Sequence, residues 1–94
     1  MQTREFVLMA QIEIEELDKW VAEGWLAPRQ EESGEDFSDI DLARAHLIRD
    51  MFGLGVNDES VPIILDLIDQ VHGLRRVLRR LASQSSTAPG REGA

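Results

Sequence analysis

Leu67, Val71, Leu74, Leu78 and Leu81 recur at intervals of 4, 3, 4 and 3 residues. That spacing is a coiled-coil seam of about two heptads. It commits the last third of the chain to a long helix with one apolar stripe, and the stripe needs a surface to cover it. Two coverings are open: the chain's own domain, or the same stripe of a second copy. We read pairing, because the helix continues past the expected extent of the domain before it. The seam is flanked by Arg75, Arg76, Arg79 and Arg80. Gly73 beside it weakens the helix locally by up to ~1 kcal/mol.

At 94 residues the chain has room for one domain, and a single core of that size is marginally stable, which again favours self-association. There is no cysteine. Disulfides and thiolate zinc sites are therefore excluded, and a reducing, cytoplasmic setting is expected. No apolar run reaches the roughly 20 residues of a membrane span, and Met1-Gln2-Thr3-Arg4-Glu5 is not a signal sequence.

Upstream of the long helix the pattern is shorter. Thr3 is expected to cap a helix from about Arg4 to Met9, with Phe6 and Ala10 on its inner face. A second helix is expected from about Glu13 to Glu23, with Ile14, Leu17, Trp20 and Val21 at helical spacing and Gly24 as its stop. Two short helices with so tight a link read as a helix-turn-helix. Trp25-Leu26 reads as extended, the polar stretch from Pro28 to Asp36 as a loop, and together with Phe37 they suggest a two-stranded wing. Ser38 and Asp41 form a capping box for a third helix, with Ile40, Ala43, Leu47, Ile48 and Met51 as its apolar positions and Gly53-Leu54-Gly55 as its end. Asn57 is expected to cap the fourth helix, with Pro62 in its tolerant first turns. That helix should run to about Leu81. Its first half (Val61, Ile63, Ile64, Leu65, Leu67, Ile68) is too apolar for one face, so burial on two sides is expected. Residues 83–94, rich in Ser, Gly and Pro, read as a disordered tail. The expected class is mainly α: a winged helix-turn-helix followed by a long helix that dimerises.

Charge is distributed unevenly. Residues 1–37 carry 10 acidic and 3 basic side chains; residues 38–82 carry 7 and 6; residues 83–94 carry one of each. The net charge of −8 thus resides almost wholly in the helix-turn-helix and wing, while residues 38–82 (third helix and dimerisation helix, in the same compact domain) are nearly neutral. An acidic surface repels nucleic acid and anionic lipid and fits basic partners.

Catalytic patterns are missing. His46 and His72 belong to no metal-ligand motif, and Asp69 with His72 makes at most half a site across a dimer; a solvated histidine is the simpler reading. The close carboxylates (Glu15-Glu16, Glu31-Glu32) are all expected to be exposed, with no apolar pocket to raise a pKa. No enzyme activity and no cofactor are expected.

The stretches Gly24-Trp25-Leu26-Ala27-Pro28, Phe37-Ser38-x-x-Asp41-Leu42-x-Arg44 and Leu54-Gly55-Val56-Asn57 resemble the framework of the MerR family of winged-helix regulators, over roughly residues 2 to 70. Where that family carries arginine and tyrosine on the second helix, this chain has Glu13, Glu15, Glu16 and Asp18, with Lys19 the lone base. Where the family wing carries tyrosine and arginine, this chain has Ser33-Gly34-Glu35-Asp36. Phosphate contacts dominate DNA affinity, and four carboxylates oppose them.

This combination resembles the chaperone-modulator family typified by CbpM. The matching stretches are Glu15-Glu16-Leu17-x-x-Trp20-Val21-x-x-Gly24-Trp25-Leu26-x-Pro28, Phe37-x-x-x-Asp41-Leu42-Ala43-Arg44-Ala45, Leu54-Gly55-Val56-Asn57 and Ile63-Ile64-Leu65-Asp66-Leu67-Ile68-Asp69-Gln70. The resemblance implies binding to the J-domain of CbpA, a DnaJ-type co-chaperone, with loss of its stimulation of Hsp70 (DnaK) and of its DNA binding. The expected interface is Glu13, Glu15, Glu16 and Asp18, extended by Glu31, Glu32, Glu35 and Asp36 of the wing, with Trp20 or Trp25 as apolar anchor; the other reading of both tryptophans is core packing. A second candidate surface is the fourth helix with Asp66 and Asp69. Two rival functions are a MerR-type DNA-binding regulator, using Arg75, Arg76, Arg79 and Arg80, and a generic dimeric adaptor for another basic protein.

Overall fold

The computed structural model describes residues 1–87. The elements run α1 (Thr3–Ala10), α2 (Ile14–Ala22), β1 (Arg29–Glu31), β2 (Gly34–Asp36), α3 (Asp39–Gly53) and α4 (Val61–Thr87). The protein is mainly helical, with one two-stranded sheet and a long C-terminal helix. It divides into two units, Met1–Pro62 and Ile63–Ala94, so the division falls inside the first turn of α4. The charge boundary at 37/38 is not a packing boundary, since α3 packs on α1.

In the first unit, each helix buries a stripe. α1 buries Phe6 and Ala10 and α2 buries Leu17 and Trp20, in both cases at the expected spacing. Phe6 stacks on Phe37 with centroids 4.3 Å apart, which fixes the exit of the wing against α1. Trp20 and Trp25 both lie against Phe52 of α3, at 6.3 and 6.2 Å. Leu26, Ile48, Met51 and Val61 complete the core.

The caps of α1 and α4 differ from expectation. Gln2, not Thr3, is the N-cap of α1, and Thr3 is its first helical residue. Asn57 caps a turn rather than the helix: its Oδ1 accepts from the Ser60 N–H at 3.0 Å, and α4 begins at Val61, with Pro62 in its first turn. The end of α2 follows its glycine. Gly24 has φ +80°, and the Trp25 N–H reaches back to the Trp20 carbonyl at 2.9 Å, the six-to-one closure that a left-handed residue permits.

The wing forms, but further along than Trp25-Leu26. Those two residues are buried at the end of α2, and the strands pair in antiparallel register Arg29↔Asp36, Gln30↔Glu35 and Glu31↔Gly34. Glu32 and Ser33 make the two-residue turn, and Gly34 takes φ +118°, a conformation that side chains avoid.

α3 is capped as expected: the Asp41 N–H donates to Ser38 Oγ at 3.1 Å, and the Ser38 N–H donates to Asp41 Oδ2 at 3.0 Å. Its inner face is rotated from the expected one. Ile40 and Ala43 are exposed, whereas Asp41, Ala45, Ile48 and Met51 are buried. Asp41 holds a core position because it is saturated: besides Ser38, its Oδ1 accepts from the Ala27 N–H at 3.1 Å. From the next turn, Arg44 donates to the Trp25 carbonyl at 3.0 Å.

In the second unit, α4 continues to Thr87, beyond the expected end near Leu81, so residues 83–87 are helical rather than tail. Residues 88–94, the remainder of the expected tail, lie outside the described residues. Burial on two sides of its first half is not seen: Val61 and Leu65 are buried, Ile64 and Ile68 half-buried, and Ile63 and Leu67 exposed. Among the described residues no helix is long and apolar enough to cross a membrane.

Candidate protein-docking surfaces

α2 begins at Glu13, its N-cap, and negative charge in a first turn is favourable there. Glu16 reaches back and accepts from the Glu13 N–H at 3.0 Å. Glu16 is therefore committed to capping. Glu13, Glu15 and Asp18 stand exposed.

Lys19, the only base of α2, forms an ion pair with Asp58 in the turn before α4. Hydrogen bonding to Asp58 holds its ammonium above the usual lysine range, and Glu23 and Glu59 add to the effect. These residues, with Trp25 and Pro62, line an open groove of about 200 Å³. The one cation on α2 is thus neutralised from within, and the helix face remains anionic.

The expected apolar anchor is corrected. Trp20 is 1% exposed and Trp25 4%, so both are core residues and offer no surface to a partner. Both rings lie against Phe52; the helical spacing of Trp20 with Leu17 marks Trp20 as inward, whereas Trp25 lies beyond the end of α2. What the sequence reading missed is a set of exposed apolar side chains around the α1–α2 turn: Leu8 (74%), Met9 (50%) and Ile14 (44%). The helical spacing puts Ile14 on the inner stripe of α2, yet it stands exposed; Leu8 is recognisable in the sequence as an apolar residue off the Phe6–Ala10 face.

The four acidic wing residues divide. Glu31 and Glu32 are exposed at the tip. Glu35 accepts from Gln30 Nε2 at 3.1 Å across the sheet. Asp36 is paired with the Met1 ammonium at 2.8 Å, which also donates to the Phe37 carbonyl at 2.7 Å. Hydrogen bonding to that ammonium holds the Asp36 carboxyl below the usual carboxylate range, with Arg29 adding to it, and Asp36 in turn raises the amine. Asp36, Arg29, Ala27, Ser38 and Asp41 line an open hollow of about 440 Å³ at the base of the wing.

On α4 the expected seam lies open. Leu67, Val71, Leu74, Leu78 and Leu81 are all exposed, and Ile63 and Val77 join them on the same side. At about 100° per residue Arg75 borders this stripe, whereas Arg76 and Arg80 point away from it. The arginines therefore do not flank the seam as a set. Asp66 accepts from Gln70 Nε2 at 2.8 Å within the helix. His46 lies with Nε2 3.3 Å from the Met9 carbonyl, and His72 is exposed on α4. Among the described residues no three acidic or histidine side chains converge where a metal ion could sit.

Compared with models of protein families, with curated proteins and with solved structures, the chain matches none.

Proposed function

We propose that this chain is a dimeric chaperone modulator whose acidic first unit docks on the J-domain of a CbpA/DnaJ-type co-chaperone and masks the basic surface that stimulates Hsp70. The observation that carries the reading is the pairing of Lys19 with Asp58, which leaves the exposed Glu13, Glu15 and Asp18 of α2 without a basic side chain of their own helix to offset them. The four sequence stretches that resemble the chaperone-modulator family supply the identity of the partner. Charge of one sign on a rigid helix speeds encounter with a cationic helix and excludes anionic competitors. The same sign opposes capture of duplex DNA.

The dimer is the second part of the proposal. Seven of the twelve large apolar side chains that stand exposed among the described residues are on α4, at heptad-like spacing, which is more than a solvated helix face accounts for.

The test is the steady-state ATPase of an Hsp70 with a CbpA-type J-protein, titrated with this chain. Stimulation should fall to the basal rate at saturating modulator. Unchanged stimulation together with no heat of association with the J-domain would overturn the proposal, and tight duplex binding in a low-salt gel shift would replace it with the regulator reading.

A further inference from the structure

We infer that Leu8, Met9 and Ile14, at the turn between α1 and α2, form the apolar anchor of the acidic surface, and that their occupant is a basic amphipathic helix of the partner. The inference rests on the reading of the first unit as a J-domain-binding surface, and deepens it by naming where the affinity resides. Ion pairs at an exposed rim contribute ~0–1 kcal/mol each, so carboxylates alone do not hold a partner. Binding energy concentrates in a few apolar side chains that the polar rim shields from water.

The turn supplies such a cluster on a fixed base. Gln11 adopts the left-handed conformation at φ 58°, Ile12 is buried beneath, and the Ile12 N–H closes on the Val7 carbonyl at 3.3 Å. From α3, Arg49 donates to the Ala10 carbonyl at 3.1 Å and to Gln11 Oε1 at 2.8 Å. Leu8 lies on the side of α1 away from Phe6 and Ala10, and Ile14 opens α2. Single exposed apolar residues need no explanation, but three within seven residues, around one braced turn, form a concentrated feature.

Charge selects the occupant. Glu13 and Glu15 adjoin Ile14 in sequence, and Asp18 lies one helical turn beyond it on the same side. Arg4 is one turn from Leu8, and the Arg49 guanidinium is committed to the α1 carboxyl end. A second copy docking here would bring two sets of Glu13, Glu15 and Asp18 together, and an anionic membrane would meet the same repulsion. A helix with lysine or arginine beside an apolar side chain meets both requirements: its cations reach Glu13, Glu15 and Asp18 while its apolar residue covers Leu8 and Ile14.

Calorimetry on the full chain with the isolated J-domain of a CbpA-type protein tests this. The triple variant Leu8→Ala, Met9→Ala, Ile14→Ala should weaken binding by roughly thirtyfold or more. Its thermal melt should match wild type, since none of the three side chains is buried. Leu54→Ala, an equally exposed apolar truncation elsewhere, should leave affinity unchanged. If wild type binds and the triple variant binds as tightly, or Leu54→Ala weakens binding as much, the anchor assignment is wrong and the J-domain reading stands. If wild type does not bind, the J-domain reading falls and takes the assignment with it.

Discussion

Residues 1–62 carry fifteen acidic and five basic side chains, whereas α4 beyond Pro62 carries Asp66 and Asp69 against four arginines. The two units differ as sharply in where they keep their apolar mass. The first buries two tryptophans and a pair of stacked phenylalanines and leaves three large apolar residues exposed at one turn, with Ile40 and Leu54 elsewhere; the second leaves a whole stripe in water. The contrast separates two kinds of stability. The first unit has its own core, worth ~1.5–3 kcal/mol for each large side chain fully buried. α4 beyond its first turns has only helix propensity and Arg-rich solvation until its stripe is covered.

The most disruptive change to that contrast is on the seam. Leu74→Lys with Leu78→Lys should convert a dimer into a monomer in light scattering, with a loss of helical circular dichroism confined to α4. A wild type that is monomeric at millimolar concentration would erase the distinction between the units. Next in size is Trp20→Ala, which should cost about 3–5 kcal/mol of first-unit stability in denaturant titration. Asp41→Ala should cost about 1–3 kcal/mol, because the Ala27 and Ser38 N–H groups lose their acceptor at a part-buried site. Glu15→Lys with Asp18→Lys should leave stability within about 0.5 kcal/mol and weaken J-domain binding by roughly tenfold in calorimetry, mainly through a slower encounter. Glu16 is left out of that pair because reversing it also removes a cap.

The smallest effect concerns pH. The Asp36 carboxyl is held low, so its contribution is present above the ordinary carboxylate range and is lost as pH falls through the lowered value. The Met1 amine is held high, so its contribution is present below the ordinary amine range and is lost as pH rises through the raised value. Asp36→Asn should flatten both arms of the stability profile measured by denaturant midpoint.

Much of this arrangement is legible in the sequence. The Ser38–Asp41 box, the glycine stop after α2, the Phe6–Ala10 and Leu17–Trp20 stripes and the long helix of α4 each follow from a local rule, and local rules survive folding. Of the departures, three bear on the candidate surface. On α3 the expected Ile48 and Met51 are buried, but Ile40 and Ala43 are not, because a carboxylate, Asp41, takes the core position near its start; the Ser38 box accounts for one of its oxygens, and hydropathy cannot anticipate the Ala27 N–H that satisfies the other from fourteen positions away. The wing shifted because Trp25 and Leu26 were claimed by the core under Phe52. Both tryptophans, the largest apolar side chains, are taken by the core, and the exposed Leu8 is conspicuous only once the inner face of α1 is known.

The Asp41 carboxylate also has a topological consequence. One oxygen accepts from the backbone at Ala27 and the other from the backbone at Ser38, so a single side chain cinches both feet of the segment that carries β1 and β2. A segment tied at its base can vary in length at its crown without transmitting the change. Peptide tags or fluorophores grafted between Glu32 and Ser33 should therefore leave the melting temperature of the first unit unchanged.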